Sequence, residues 1–392
     1  MNTTIARLGR RLRLGVIGGG AGSFIGPVHR AAARIDDHFE VVAGVLSSDP
    51  ERSRRQGREI GLAEDRAYGG PAELFAAEAR RPDGIDAVAI MTPNDSHCPL
   101  SHAALDAGID VICDKPLATT LKDAVTLARR VRESGLVFCH TFNYTGYPMV
   151  RQARAMVRDG DIGDVRMVEV EYVQGHAAAL VEGERGEPPA SWKFRRELAG
   201  PSLILGEIGS HVHHMASFVT GQNFARVVAD IGTVVPGRNA HDNATLLFRL
   251  ENGAQGLLWV TQAAAGAIHG LKFRVFGATG GLEWFQEEPN QLRHYRLGAP
   301  LQIFERHGPV LKPAALRAGR VGIGHPEGYQ EAFAVLYAEA AEAIVARRLG
   351  LPTAGLVPDM PTVADGVRTM RFIEAALESA RTGTWADCRI EI

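Results

Sequence analysis

The chain has 392 residues, 45% of them hydrophobic and 22% charged, and a formal net charge of −2. Length argues for roughly two domains, the charge balance argues against a nucleic acid or an anionic membrane as main partner, and no run of about 18 apolar residues is present to span a bilayer. Four cysteines, Cys98, Cys113, Cys139 and Cys388, lack C-x-x-C spacing, which argues against a disulfide framework or a cysteine zinc site and for reduced thiols in a cytoplasmic protein.

The basic stretch Met1–Gly15 lacks the apolar core of a signal peptide and reads as a solvated leader. Apolar runs at 12–17, 39–46, 86–91, 110–113 and 136–140 read as short strands. Between them, Val28, Ala31, Ala32 and Ile35, the segment 100–107, and Leu121, Ala124, Val125, Ala128 and Val131 carry helical spacing. This alternation predicts a parallel sheet with helices on both faces over residues 1–145. Ligands of such sheets bind at the carboxyl ends of the strands, so the informative positions are the loops after each run.

From residue 146 to 392 the pattern changes. A helix at 148–158 stops at Asp159–Gly160. Period-2 segments follow at 166–173, 225–235, 244–250, 256–262, 271–276 and 281–285, predicting an antiparallel sheet with one polar face. The stretch Gly183–Pro189 reads as a loop. Tyr329, Phe333, Tyr337 and Ala340, then Val363, Val367, Met370 and Ile373, mark two C-terminal helices that can pack back on the first domain.

The loop after the first strand reads GGGAGSFIG, with Gly18 and Gly20 spaced as in G-x-G-x-x-G and the next glycine, Gly26, late. Its strand–loop–helix context fits a pyrophosphate cradle; an ordinary tight turn is the alternative. The second strand ends in Ser47, Ser48 and Asp49, where an acid usually holds the ribose of NAD. With Arg52 these hydroxyls lean slightly toward the 2′-phosphate of NADP, unless Asp49 only caps the next helix. Lys115 follows a buried run at the carboxyl edge, where a partly desolvated lysine can stabilise a developing alkoxide; a surface ion pair of Asp114 is the bland reading. Glu207 and His211 are four apart, so on a helix the carboxylate can orient the imidazole as a general base. With His214 they form a cluster that also allows a metal or a buried structural role; no metal is expected. His176 ends a strand, Trp192 and Lys193 suit sugar faces and hydroxyls, and His325 sits in a polar loop, each with an ordinary loop reading beside it.

In order, the glycine loop, T-P-N-x-x-H at Thr92–His97, Asp114-Lys115-Pro116, FNY at Phe142–Tyr144, the turn Asp159–Val165 and GEIGSHVHH at 206–214 resemble the Gfo/Idh/MocA family, which includes glucose–fructose oxidoreductase and inositol dehydrogenase. The resemblance covers nearly the whole chain. It implies a Rossmann domain, an α/β domain with an open antiparallel sheet, and an NAD- or NADP-dependent dehydrogenase of sugars, polyols or glycosides. It places Gly18, Gly20, Ser23, Phe24, Ile25, Gly26, Thr92, Pro93, Asn94, His97, Asp114, Lys115 and Asn143 at the cofactor and Tyr144 at the substrate. GGGAGSFIG then reads as the family loop with Ala21–Ser23 inserted, an enlarged cradle in which extra backbone donors and the Ser23 hydroxyl approach the pyrophosphate. His211 is implied as base with Glu207 as its partner, although the family usually has Asp at position 207. Two alternatives stay open: a glycosidase that oxidises, eliminates and re-reduces, and a sensor without turnover. An open sheet with a partly apolar outer face is expected to be covered by another subunit, as a homodimer or homotetramer.

Overall fold

The computed structural model describes residues 2–182, 191–353 and 355–392 and divides into two compact units. The loop expected at Gly183–Pro189 lies outside the described residues. The first unit holds residues 2–118, 122–143 and 330–366 except the undescribed 354; the second holds 119–121, 144–329 and 367–392 except 183–190.

The first unit begins with helix α1 (Thr3–Leu8) and alternates β1 (Leu12–Gly18), α2 (Ile25–Ile35), β2 (Phe39–Val45), α3 (Pro50–Glu59), α4 (Pro71–Glu78), β3 (Ala87–Met91), α5 (His97–Asp106), β4 (Asp110–Cys113), α6 (Leu121–Ser134) and β5 (Phe138–His140). The strands form a parallel sheet in the order β2-β1-β3-β4-β5. Every residue of β3 and β4 is buried, as expected of central strands covered on both faces. Strand order reverses between β1 and β3, which pair Gly18 with Met91 and so bring the glycine loop and the loop after β3 to one crevice.

The N-terminus departs from the expected solvated leader. Asn2 caps α1, Arg10 grips Asp86 with two nitrogens, and Arg11 pairs with Asp37. These partners lie far along the chain, so local composition could not show them.

The second unit holds α7 (Pro148–Arg158), β6 (Met167–Val173), α8 (Arg196–Ala199), α9 (Ser210–Thr220), β7 (Phe224–Gly232), β8 (Asn243–Leu250), β9 (Gln255–Thr261), β10 (Leu271–Phe276), β11 (Gly280–Phe285), β12 (Gln291–Arg296), β13 (Gln302–Glu305) and α10 (Pro313–Ala318). The chain then forms α11 (Tyr329–Arg348), α12 (Val363–Thr382) and β14 (Ala386–Asp387). The second sheet runs β13-β12-β11-β10-β6-β9-β8-β7-β14. β6 is parallel to β9, and the other neighbours are antiparallel. Alternation sends Val168, Val170 and Tyr172 of β6, and Leu271, Phe273 and Val275 of β10, to a buried face against α9. The other face leaves Met167, Leu247, Leu257 and Trp259 exposed.

From Gln330 onward α11 joins the first unit. Tyr337 packs edge-on against Phe39, Arg347 pairs with Asp110, and Arg348 pairs with Asp86. All four cysteines are buried free thiols, and no helix among the described residues is long and apolar enough to cross a membrane.

Candidate active site

In the first unit, close packing explains the glycines. A Cβ on Gly20 would lie 2.1 Å from the Leu46 carbonyl oxygen, and one on Gly26 the same 2.1 Å from that of Gly19. Gly18 and Gly19 hold φ of +86° and +68°, which an L side chain rarely adopts. Gly19 is a loop residue that the motif spacing did not single out.

The inserted turn is more self-contained than expected. The Ser23 amide donates to the Gly20 carbonyl at 3.0 Å, and the Ala21 amide faces Gln56 Oε1 at 3.4 Å. The Ser23 hydroxyl accepts the Gly26 amide at 3.2 Å, bracing the start of α2 and leaving its own proton to donate. These contacts order the inserted turn. Phe24 is exposed and Ile25 half-buried.

At the end of β2, Asp49 accepts the Arg52 amide at 2.7 Å and caps α3. Ser47 Oγ accepts from the Asp49 amide and from Arg52 Nε, while Ser48 is exposed. After β3, Thr92 Oγ1 accepts the Ser96 hydroxyl at 2.6 Å, and Pro93 leads into a 3₁₀ turn with Asn94 buried. His97 is buried, with its nitrogens facing the carbonyls of Pro116 at 2.7 Å and Thr92 at 2.9 Å. The ring therefore ties two loops together instead of offering a nitrogen to a cofactor.

After β4, one Asp114 oxygen accepts the Lys115 amide at 3.0 Å and the Thr141 hydroxyl at 2.7 Å. Burial acts to raise the Asp114 pKa, but His29, Lys115 and His97, with the Thr141 hydrogen bond, outweigh it and hold the carboxyl below its ordinary value. Lys115 thus stands beside a carboxylate at the carboxyl edge of the sheet, and its bond to Pro116 is cis. Asn143 is 1% exposed, and its Nδ2 has no hydrogen-bond partner among the described residues. A buried donor left open in this way fits a polar edge of a cofactor.

The second unit assembles a different set. Glu207 lies in a π turn, Leu205–Gly209, that runs directly into α9. Its carboxylate forms an ion pair with Lys193, from a 3₁₀ turn (Trp192–Phe194) capped by Ser191; Trp192 is half-buried. His176 lies in the turn after β6 and is exposed. Desolvation lowers its pKa, Lys193 and Arg238 add to this, and Glu207 opposes it, so these charges share one field.

His211 packs edge-on against Tyr144, with ring centroids 4.8 Å apart and planes at 80°. The Tyr144 hydroxyl reaches the Tyr172 hydroxyl at 2.7 Å and His269 Nε2 at 3.0 Å, and Tyr172 reaches the same nitrogen at 2.6 Å. Tyr172 and His269 escaped the sequence reading. The signal for Tyr172 was its place on the buried face of β6; His269 lies in no motif.

Two expected substrate contacts sit elsewhere. His214 is buried 6.0 Å from the ring of Phe218, in the packing of α9. His325 is exposed on a loop pinned by Arg306, which takes its carbonyl and pairs with Glu327. No group of three or more His, Cys, Asp or Glu among the described residues is placed to hold a metal ion.

Comparison with known proteins agrees with this layout. Residues 12–142 match the oxidoreductase family with an NAD-binding Rossmann fold, and residues 150–283 match the GFO/IDH/MocA C-terminal domain. The oxidoreductase YfiI of Bacillus subtilis is 33% identical over 384 residues, 97% of this chain and 98% of that protein. Levoglucosan dehydrogenase of Pseudarthrobacter phenanthrenivorans is 26% identical over 412 residues, covering 96% of this chain and 98% of its own. The crystal structure of an inositol dehydrogenase homolog from Azotobacter vinelandii, complexed with NADH and myo-inositol, is 38% identical with a TM-score of 0.89, covering 96% of this chain and 98% of its own. The glycine cradle, the Asp114–Pro116 strand end and the two sheets thus have one explanation: the chain belongs to the Gfo/Idh/MocA oxidoreductases and carries their NAD-binding Rossmann domain.

Proposed function

We propose that the protein is a dehydrogenase for a secondary alcohol of a sugar, polyol or glycoside. The observation that carries the reading is Lys115, set beside the Asp114 carboxylate at the end of β4, in the sheet whose β1–β3 crevice bears the glycine cradle. Relatives named for levoglucosan and crystallised with myo-inositol support the substrate class.

NAD supplies the hydride acceptor when bound. Gly18, Gly19, Gly20 and Gly26 would hold its pyrophosphate, and Asn143 would donate to one of its polar edges. Ser47 and Arg52 favour acceptance of NADP as well, since Asp49 is committed to the α3 cap. Lys115 donates to the substrate oxygen and stabilises the charge that develops there. His211 takes the hydroxyl proton. Glu207 supplies negative charge near the base, and Lys193 fixes that carboxylate. His176 and Trp192 are assigned to substrate contact.

The test is reduced-nicotinamide absorbance with NAD over a panel of inositols, anhydrosugars, free sugars and glycosides. Lys115→Ala and His211→Ala are each expected to lower kcat by about 10²- to 10⁴-fold. No reduced cofactor with any panel member sinks the reading, and aglycone release without net reduction replaces it with redox-neutral hydrolysis. Tighter binding of NADH with no measurable NADPH binding removes the proposed second cofactor. We also propose that the outer face of the second sheet is covered by another copy of the chain, in a dimer or tetramer.

A further inference from the structure

We propose that His269 is a positioning residue for the base: through a closed hydrogen-bonded triad with Tyr144 and Tyr172 it fixes the ring against which His211 packs. The inference rests on the assignment of His211 as base. The triad is closed because each of its three polar atoms lies within 3.0 Å of both others. Its members come from a 3₁₀ turn (Asn143–Gly146), from β6, and from the loop before β10, so the contact is tertiary and fixes several segments at once.

His269 is itself held at both ends. Its backbone amide and that of Gly270 donate to Glu287 Oε1 at 2.9 and 3.1 Å. Its Nδ1 faces Gln174 Nε2 at 3.3 Å. In that orientation the Gln174 amide donates to Nδ1, so the neutral ring carries its single proton on Nε2 and shares it with the two nearby phenol oxygens, while the phenols are joined to each other by a hydroxyl hydrogen bond. Tyr144 and Tyr172 are each 4% exposed, so a phenol released from the triad has little water to turn to. The Tyr144 ring is therefore fixed in place as well as orientation. Tyr147 stacks parallel to it, with centroids 6.1 Å apart and planes at 6°, which restricts the ring further. An imidazole packed edge-on against a ring held this way has its own rotation restricted. Catalysis by a base depends on that aim, because a displacement of about 1 Å at a reacting group costs on the order of 100-fold in rate.

The experiment uses the full-length protein with NAD and whichever panel alcohol it oxidises. His269→Ala and Tyr144→Phe are each expected to lower kcat about 10- to 100-fold while the KM for NAD stays unchanged. His269→Gln, whose amide can donate where Nε2–H did, is expected to restore part of the loss. The double variant should be no worse than the poorer single variant, because both remove one network. A second readout needs no turnover: carbethoxylation of His211 by diethyl pyrocarbonate, followed by peptide mass spectrometry, should speed up in both single variants. Unchanged kcat in His269→Ala, additive losses in the double variant, or an unchanged modification rate of His211 each overturn the proposal. Should His269→Ala fail to fold, Tyr172→Phe and His269→Gln carry the same comparison. If His211→Ala retains full turnover, the base assignment itself falls; if His211→Ala is dead while His269→Ala matches the parent protein, only the positioning role falls.

Discussion

At Gly26 an added methyl group would meet the backbone of Gly19, whereas at Gly22 it would meet open space. The two positions therefore separate steric from conformational demand. Gly26→Ala is expected to weaken NAD binding at least tenfold and to destabilise the fold by about 1–3 kcal/mol, as overpacking does. Gly22→Ala adds only the strain of φ +83°, about 1–2 kcal/mol, and should leave the NAD Kd within about threefold. Isothermal titration with NAD and a urea unfolding curve on each variant check both outcomes; equal loss of affinity at the two positions would contradict the assignment of the cradle. Lys115, Glu207 and His211 could be picked out because each sits in a short contiguous motif. Tyr172 and His269 could not, because 97 residues separate them and only the fold puts their polar atoms together. His97 misled for a related reason: spacing shows that a histidine follows Thr92, but not that backbone carbonyls face both of its nitrogens.

Two segments far apart in the chain converge on the residue just before β3. Asp86 is 2% exposed, accepts the Arg13 amide at 2.7 Å, and pairs with Arg10 at 2.6 Å and Arg348 at 2.8 Å. Burial acts to raise its pKa, but the hydrogen bond from Arg10, the Arg13 amide and the charges of both arginines prevail, and the net shift is downward. A carboxylate whose folded pKa lies below its unfolded value, about 3.9, adds stability above that value and loses it as pH falls through the lowered pKa. Asp86→Asn is thus expected to cost about 1–3 kcal/mol at pH 7, less than a fully buried pair because the arginines are 35% and 33% exposed. Below about pH 4 the difference from the parent should shrink. Thermal melts of both proteins between pH 7 and pH 3 measure it, and a gap that stays constant with pH would show that the charge is not involved. The N-terminal arginines were misread as a leader because their partners, Asp86 for Arg10 and Asp37 for Arg11, are brought to them only by the fold. The elements themselves were easier to read: the apolar runs of β1 to β5 are bounded by turn residues, and the alternation of β6, β8 and β10 survives in their burial. β12 and β13 were missed because QLRHYR carries polar residues at most positions and QIFE is short with its two apolar residues adjacent, so neither shows an apolar period of two.

On the scale of the whole chain, a parallel sheet and a mostly antiparallel sheet form the two units, and the chain passes between them more than once. The expectation that the two C-terminal helices can pack back on the first domain could not separate them, because their apolar spacing is that of any buried helix; residues 330–366 group with the first unit and 367–392 with the second. The outer face of the second sheet offers Leu247 opposite Leu257 on neighbouring strands, with Trp259 and Met167 also exposed. If another copy covers this face, Leu247→Glu with Leu257→Glu should reduce the sedimentation coefficient to that of a monomer while far-ultraviolet dichroism stays unchanged. An unaltered coefficient would place the interface elsewhere.

The parallel pair β6–β9 also bears on how the second sheet assembles. β7 to β9 and β10 to β13 are two local meanders, each made of strands consecutive in the chain, and β6 is the strand that lies between them. Its pairing with β9 joins Met167 to Gln255 across a loop of more than eighty residues, whereas the hairpins close over ten or fewer. Long loops close late in folding because their entropy cost precedes any reward from contacts. Until that strand docks, both meanders present an open edge, so the newly made chain is most exposed to association with other chains during the interval before β6 arrives.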